Sequence, residues 1–223
     1  MPIHAVASPY RERSHFDGQD VLESGSGPGS LLRDGWLNRA LPPLGGAEFA
    51  LALAPSATLV LRGTQAVPSW APSGLPDPDD DTLRRVRMLY APDPLLSERL
   101  EQALEARDLA GAMGQGRRSV RGGKSRQLFA SAGRFLAADE GPRIAVLETT
   151  GWDTHANQGS SEGALARRFM ELQDGLMSLR KELGGTWQHT AIAVVTEFGR
   201  TASVNGTGGT DHGTGSAALL LGG

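Results

Sequence analysis

Short apolar runs alternate along the chain with longer segments of helical periodicity. Two of these runs, at 143–149 (RIAVLET) and 190–195 (TAIAVV), are rich in β-branched residues, which is typical of strands covered on both faces of a sheet. Between them, leucines and a phenylalanine recur at helical spacing along 165–183, after a cap at Ser160 or Ser161. Strand, helix and strand in this order form a βαβ unit, so the two strands are predicted to be parallel.

The other elements complete an α/β pattern. The remaining segments predict strands at 3–7, 49–53 and 58–61 and helices at 31–41, 82–91, 95–113 and 126–138. A chain of 223 residues is long enough for one domain with a sizeable core. We therefore predict a single α/β domain over 1–223, with a mainly parallel central sheet and helices on both faces.

Polar residues follow both β-branched strands. Asp153 and His155 come after the first strand and can face the same way, because side chains two residues apart share a face of an extended segment. Asp211 and His212 lie in a glycine-rich loop after the second strand. Both loops are predicted at the same sheet edge, where open α/β sheets bind ligands. Carboxylate oxygen and imidazole nitrogen suit zinc, manganese or iron, so the two pairs predict a two-metal centre.

Each of these residues also has an interpretation without a metal ion. Asp153 can cap the following turn, and Asp211 with His212 can anchor its loop through hydrogen bonds. Glu197 and Arg200, at the end of the second strand, can form a structural ion pair. In the functional interpretation Glu197 is a metal ligand and Arg200 binds an anionic ester.

Three further polar residues stand close together near the start of the chain. We reject a catalytic triad of Ser14, His15 and Asp17, because triads are assembled from separated elements. Ser14 is predicted to cap a helix with Asp17 in its first turn. The alternative is that His15 or Asp17 lines the cleft. His189 precedes the second β-branched strand and His4 lies within the first strand of the chain, so both are excluded from the site.

Composition excludes some classes of binding partner and some types of metal ligand. The net charge of −3 gives no electrostatic basis for binding nucleic acid or an anionic membrane. The chain has no cysteine, which excludes disulfides and thiolate metal sites. No apolar run reaches membrane-spanning length, and the N-terminus lacks the pattern of a signal peptide. The basic stretch 117–124 (RRSVRGGK) lacks the spacing of a phosphate-binding loop and is predicted to be a surface loop.

Four short motifs follow one another along the chain: RSHFDGQD at 13–20, GWDTHANQ at 151–158, TEFGRT at 196–201 and GGTDHG at 208–213. Together they resemble the bacterial domain of unknown function 1501 family, and the resemblance covers most of the chain. That family is placed in the alkaline phosphatase and sulfatase superfamily. The resemblance therefore implies an alkaline phosphatase-like fold and export to the periplasm or the cell exterior, often with a twin-arginine signal.

The resemblance also implies roles for the four residues that suit a metal ion. In the superfamily, a Thr-x-Asp-His-Gly-like motif supplies an aspartate and a histidine to one metal ion, and these map onto Asp211 and His212. An earlier aspartate with a nearby histidine supplies the other ion, and these map onto Asp153 and His155. The implied ions are zinc or manganese, and the implied substrate is a small anionic ester.

The chain departs from the family pattern at both ends. Family members begin with a strand that carries a metal-binding aspartate and the nucleophile, whereas residues 1–4 resemble a later strand. A further histidine ligand is expected beyond Gly223. We therefore expect a partial domain, incomplete at both termini, with no identifiable nucleophile and weak binding of zinc or manganese. The expected function is a metal-dependent hydrolase of phosphate or sulfate esters, inactive as this chain, and the alternative is a non-catalytic exported binding or assembly protein.

Overall fold

The computed structural model describes residues 1–72, 78–112 and 124–223. The α-helices in these ranges are α1 His15–Ser24, α2 Trp36–Ala40, α3 Asp80–Tyr90, α4 Pro94–Ala112, α5 Lys124–Ala137 and α6 Ala164–Leu183. The strands are β1 Pro2–Val6, β2 Ala50–Ala52, β3 Ile144–Val146, β4 Ala191–Val194, β5 Gly199–Arg200, β6 His212–Gly213 and β7 Ser216–Gly222. Short 3₁₀ helices occur at Pro42–Leu44, Ala47–Phe49, Leu59–Leu61 and Gly184–His189.

The described strands form three small sheets in place of the predicted central parallel sheet. β7 lies between β1 and β4 and is antiparallel to both, β2 pairs with β3 in parallel, and β5 and β6 form an antiparallel pair. The prediction that β3 and β4 are parallel strands of one βαβ unit is wrong, because they lie in different sheets. Ile144 of β3 pairs with Ala50, whereas Ala191 of β4 pairs with Gly222. The apolar β7 takes β4 as its partner, so the described fold is mixed α/β with one parallel strand pair.

The main core lies between α5, α6 and the end of β2. Its fully buried members include Phe135, Leu51, Leu53 and Leu183. The predicted apolar stripe of α6 is confirmed in part: Leu172, Leu179 and Leu183 are buried in this core, whereas Phe169 is 54% exposed. A second cluster packs around Leu41, β2 and the 3₁₀ helix Leu59–Leu61. Burial of these apolar side chains is the main stabilising contribution to the fold.

Three sequence-based predictions are wrong in the bounds or the type of the element. The predicted helix 31–41 is reduced to α2, which follows the extended residue Gly35, whose amide donates to the Arg62 carbonyl at 2.8 Å. The predicted strand 58–61 is a 3₁₀ helix, and the Val60 amide donates to the buried Glu23 carboxylate at 2.7 Å. α6 begins after Gly163, without a cap from Ser160 or Ser161.

The predicted cap of α1 is confirmed, and α4 also begins at a polar cap. Ser14 caps α1 by accepting from the Asp17 amide at 3.4 Å. Asp93 accepts from the Leu95 amide at 2.9 Å at the start of α4, with Pro94 as the first helical residue. Most of the basic stretch 117–124, predicted as a surface loop, and the end of the predicted helix 95–113 lie outside the described residues, and Lys124 is the first residue of α5. None of the helices in the described ranges is long and apolar enough to cross a membrane.

Candidate metal centre

Segments from distant parts of the chain meet beside the β5–β6 hairpin. In chain order they carry His15, Asp153, His155 and His212. The second and third segments are joined by a β-bridge between Ala156 and Gly208 and by a hydrogen bond from the Asn157 amide to the Thr207 carbonyl at 3.1 Å. At Gly209 a Cβ would lie 2.2 Å from the carbonyl carbon of His155, so only glycine permits this approach. The two predicted motif loops therefore meet through this bridge, although β3 and β4 do not pair.

Three imidazole nitrogens and one carboxylate converge where these segments meet. The Nε2 atom of His212 lies 3.1 Å from Nε2 of His15 and 3.0 Å from Nε2 of His155. The two oxygens of Asp153 face different histidines. Oδ2 is 3.1 Å from Nε2 of His15, and Oδ1 is 2.9 Å from Nε2 of His155 and 3.0 Å from Nε2 of His212. We call these four side chains the histidine cluster.

The other ring nitrogen of each histidine faces a hydrogen-bond acceptor. These Nδ1 contacts are His15 to Glu197 Oε1 at 2.6 Å, His155 to Asp211 Oδ1 at 3.3 Å and His212 to the Arg13 carbonyl at 3.0 Å. An acceptor at Nδ1 favours the tautomer that carries its proton there and leaves a lone pair on Nε2. That tautomer is the one in which Nε2 binds a metal ion.

The donor atoms of His15, Asp153 and His212 all lie within 4.8 Å of one another, so these three side chains could hold a divalent metal ion. Imidazole nitrogen and carboxylate oxygen are ligands that zinc accepts, with bonds of about 2.0–2.1 Å that put neighbouring tetrahedral ligand atoms about 3.3 Å apart. The contacts of 3.0–3.1 Å among these three residues are close to this spacing, whereas His155 lies outside the group and contacts Asp153 and His212 from one side. Nε2 of His212 faces three polar atoms but has only one proton or lone pair to offer, so hydrogen bonding alone cannot satisfy all three.

Arg200 holds the cluster carboxylate on its outer side. Its Nη1 donates to Oδ1 of Asp153, its Nη2 donates to the Thr210 carbonyl, and its Nε donates to Thr210 Oγ1 at 3.1 Å. Burial raises the pKa of Asp153, but hydrogen bonds from Arg200, His212 and His15 outweigh burial and lower that pKa to about 2. Asp153 is therefore an anion at neutral pH.

The groups around the cluster give it an excess of negative charge. Burial lowers the pKa of His15, but its hydrogen bonds with Glu197 and Asp153 outweigh burial and raise it above the usual value. Hydrogen bonds from Asn205, at 2.9 Å, and from His155 lower the pKa of Asp211. The carboxylates of Asp153, Glu197 and Asp211 against the one guanidinium of Arg200 sum to −2 when the histidines are neutral. Such a charge favours a bound cation.

Comparison with known proteins places this chain in a family. Residues 4–223 match the sequence model of a family described as a protein of unknown function (DUF1501). The chain belongs to the DUF1501 family. No curated protein and no solved structure matches it. The family resemblance of the four motifs is therefore confirmed, while the placement in the alkaline phosphatase and sulfatase superfamily stays a prediction.

The structure arranges the predicted site residues of this DUF1501 protein in two groups. Asp153, His155 and His212 point their ligand atoms toward one another, whereas the carboxylates of Glu197 and Asp211 contact the outer nitrogens of histidines. His4 and His189, which the sequence analysis excludes, lie in β1 and in the 3₁₀ helix Gly184–His189.

His15 is the site residue that sequence reasoning placed only among alternatives. It lies at the first position of α1, and its ring packs on Phe198 with the centroids 4.8 Å apart. The signal available in the sequence was its position within the 13–20 motif. Nothing in periodicity or spacing connected that motif to residues nearly 140 positions later, so the contact emerges only in three dimensions.

A cavity of about 510 Å³ with polar and apolar walls lies along the same helix. α1 contributes Phe16, Gln19 and Glu23 to its wall, and Arg62 and Glu148 close it from other segments. Gln19 bridges the two glutamates, donating to Glu23 at 2.5 Å and to Glu148 at 3.0 Å. Burial, followed by the nearby charge of Glu23, raises the pKa of Glu148. The histidine cluster does not contribute to the wall of this cavity.

Proposed function

We propose that this DUF1501 protein binds zinc or manganese at the histidine cluster and hydrolyses phosphate or sulfate esters with it. The observation that carries the proposal is the paired orientation of the imidazoles. Each Nε2 faces the cluster, and each Nδ1 contacts an acceptor that favours a lone pair on Nε2.

The residues of the chain divide the proposed work between them. His15, Asp153 and His212 would hold the ion, while Glu197 would fix the ring orientation of His15, and Asp211 that of the neighbouring His155, through their carboxylates. The chemistry supplied by a bound divalent ion is polarisation of the ester oxygen and a lowered pKa of a water nucleophile. The net negative charge of the cluster residues favours capture of the cation before substrate arrives.

The two oxygens of Asp153 bear on the proposed number of ions. Oδ2 faces His15, and Oδ1 faces His155 and His212. His15, Asp153 and His212 would hold one ion together, because their donor atoms all lie within 4.8 Å of one another. With His15 included, three donors of one site come from the chain itself, so we propose tighter metal binding than the sequence-based expectation of incomplete shells.

Metal binding and turnover test the proposal together. Metal content by plasma emission spectroscopy and a dissociation constant by chelator competition should show bound zinc or manganese, with turnover of aryl phosphate or aryl sulfate esters. His212→Ala removes the nitrogen shared by the cluster contacts and should weaken binding by more than the about 10- to 100-fold typical of outer partners. His189→Ala, in the 3₁₀ helix Gly184–His189, is the matched control and should bind as the wild type does.

The outcomes separate the parts of the proposal. A wild-type protein that takes up neither metal overturns the whole of it. Metal binding that depends on His212 without turnover of either ester class retains the metal site and overturns the hydrolase, which favours a non-catalytic binding protein. Equal losses in His212→Ala and His189→Ala would assign the metal to a non-specific site and overturn the centre.

A further inference from the structure

A line of hydrogen bonds runs from the interior of the two motif loops to the cluster carboxylate. Oε1 of Gln158 accepts from the hydroxyls of Thr154 and Thr210, each at 2.8 Å. The Thr210 hydroxyl oxygen accepts from Nε of Arg200 at 3.1 Å, and Nη1 of Arg200 donates to Asp153. The line therefore connects Gln158 to Asp153 through two side chains.

The direction of each bond in this line is fixed by the protons available. A hydroxyl has one proton, and an amide oxygen has two lone pairs. Since Arg200 can only donate, Thr210 must accept from it and give its own proton to Gln158. Gln158 Oε1 then has both lone pairs in use, because it also accepts from Thr154. Thr154 and Thr210 are buried, so loss of one partner would not be replaced readily by water.

Thr210 holds two nitrogens of the Arg200 guanidinium. Nε bonds the Thr210 hydroxyl and Nη2 bonds the Thr210 carbonyl, which leaves Nη1 directed at Asp153. Because the guanidinium is planar and rigid, fixing two of its nitrogens fixes the third. Arg200 is therefore oriented toward the Asp153 carboxylate and not toward a substrate.

We infer that Thr210 and Gln158 are positioning residues, which hold Arg200 so that it orients Asp153 for the metal ion. Arg200, predicted from sequence to bind an anionic ester, then serves the ligand carboxylate, and the charge of the ester is left to the ion. The inference rests on the proposed metal centre. The backbone of the same loops is tied independently by the Thr210 amide to the Thr154 carbonyl at 3.2 Å, so removing a hydroxyl leaves the loop connection in place.

Substitutions at Thr210 test the inference with matched controls. Thr210→Val keeps the shape and removes the hydroxyl, and should raise the zinc dissociation constant by about 10- to 100-fold. It should also change the visible absorption of the cobalt-substituted protein, which reports the geometry of the ligands. Thr210→Ser restores a hydroxyl and should restore both readouts. Thr154→Val removes the other donor to Gln158 but leaves the bond between Thr210 and Arg200, so its effect should be smaller.

Other outcomes would overturn the inference. If Thr210→Val keeps the wild-type dissociation constant and cobalt spectrum while His212→Ala loses the metal, the positioning role is wrong and the metal centre stands. If Thr210→Ser is as weak as Thr210→Val, the side chain acts by packing. A wild-type protein without metal fails the proposed function itself. Should Thr210→Val fail to fold, Gln158→Met removes the acceptor instead, and unchanged zinc affinity in that variant would overturn the inference.

Discussion

The α5–α6 helix pair and the histidine cluster are held together by different forces. α5 and α6 pack through apolar side chains that are almost fully buried, such as Phe129, Phe135 and Leu179. The cluster lies at the surface: the side chains of His15 and Asp153 are each 40% exposed, and polar contacts hold them. The helix pair therefore resists change in side-chain volume, while the cluster depends on where protons and charges lie.

This difference separates the residues that determine stability from those that determine the geometry of the site. Burial of apolar surface contributes most of the free energy of folding, whereas exposed charged contacts contribute about 0–1 kcal/mol each. Outer hydrogen bonds at a metal site act mainly on metal affinity. Substitutions in the two regions should therefore separate unfolding free energy from metal binding.

Phe135→Ala should give the largest effect on the helix pair. The Phe135 side chain is fully buried and packs edge-to-face on Trp70, with ring centroids 5.3 Å apart. Its removal leaves a cavity, so we expect a loss of about 3–5 kcal/mol in unfolding free energy, measured by urea denaturation. Zinc affinity of the folded fraction should stay at the wild-type value. A parallel loss of zinc affinity in the folded protein would break the separation between the two regions.

Gly175→Ala should produce a smaller loss in the same region. A Cβ on Gly175 of α6 would lie 2.6 Å from a ring carbon of Phe129 of α5, which is itself buried and cannot move freely. We expect overpacking to cost about 1–3 kcal/mol despite the better helix propensity of alanine. Gly185→Ala is the control, because a Cβ there would meet nothing within 4 Å. Equal stability of the two variants would show that the helices can separate without cost.

The predictable parts of the fold were those specified locally. The caps at Ser14 and Asp93 follow from side chains that bond to amides two or three residues away, and a sequence shows such spacing directly. The order of the strands does not follow from spacing. β4 pairs with β7, which lies more than 20 residues further along the chain, and periodicity cannot rank that partner against β3.

The residues of the candidate site also differ in whether the sequence alone could identify them. The motifs identified Asp153, His155 and His212. Asp153 and His155 are two residues apart, and His212 is adjacent to Asp211, so the sequence shows both pairs directly. The contact of His15 with the cluster joins α1 to β6 across the whole chain, and only the fold brings them together. The acceptor contacts of Glu197 with the outer nitrogen of a histidine also depend on ring orientation, which no sequence pattern specifies.

Glu197→Gln should weaken metal binding at the cluster with little change in stability. The substitution keeps the size of the side chain but removes the charge that holds Nδ1 of His15 at 2.6 Å. We expect zinc affinity to fall by about tenfold or more, with unfolding free energy of the metal-free protein changed by less than about 0.5 kcal/mol. Glu101→Gln is the matched control, since it removes a carboxylate from the exposed ion pair with Arg87 at 2.9 Å. Loss of zinc affinity in both variants would point to overall charge instead of ring orientation.

The smallest expected effect is the change in unfolding free energy of the metal-free protein with pH. The pKa of Asp153 is about 2 in the folded chain against 3.8 for the unperturbed group, so its contribution to stability is present above pH 3.8 and is lost as the pH falls toward 2. His15 acts in the opposite direction: its pKa is raised, so its contribution is present below 6.5 and is lost as the pH rises through the folded value.

Urea unfolding in the presence of a chelator, from pH 2 to pH 8, measures the contribution of Asp153 against the variant Asp153→Asn. The wild type should be the more stable protein near neutral pH, by less than about 1 kcal/mol because the side chain is 40% exposed and solvent screens its contacts. The gap should close between pH 3.8 and about 2, where the wild-type carboxylate takes up its proton. A gap that stays constant to the lowest pH would mean that Asp153 supports the fold by shape and not by charge. That result would contradict the proposal that charge holds the cluster, and Asp153 would then resemble the residues of the helix pair, which act through packing.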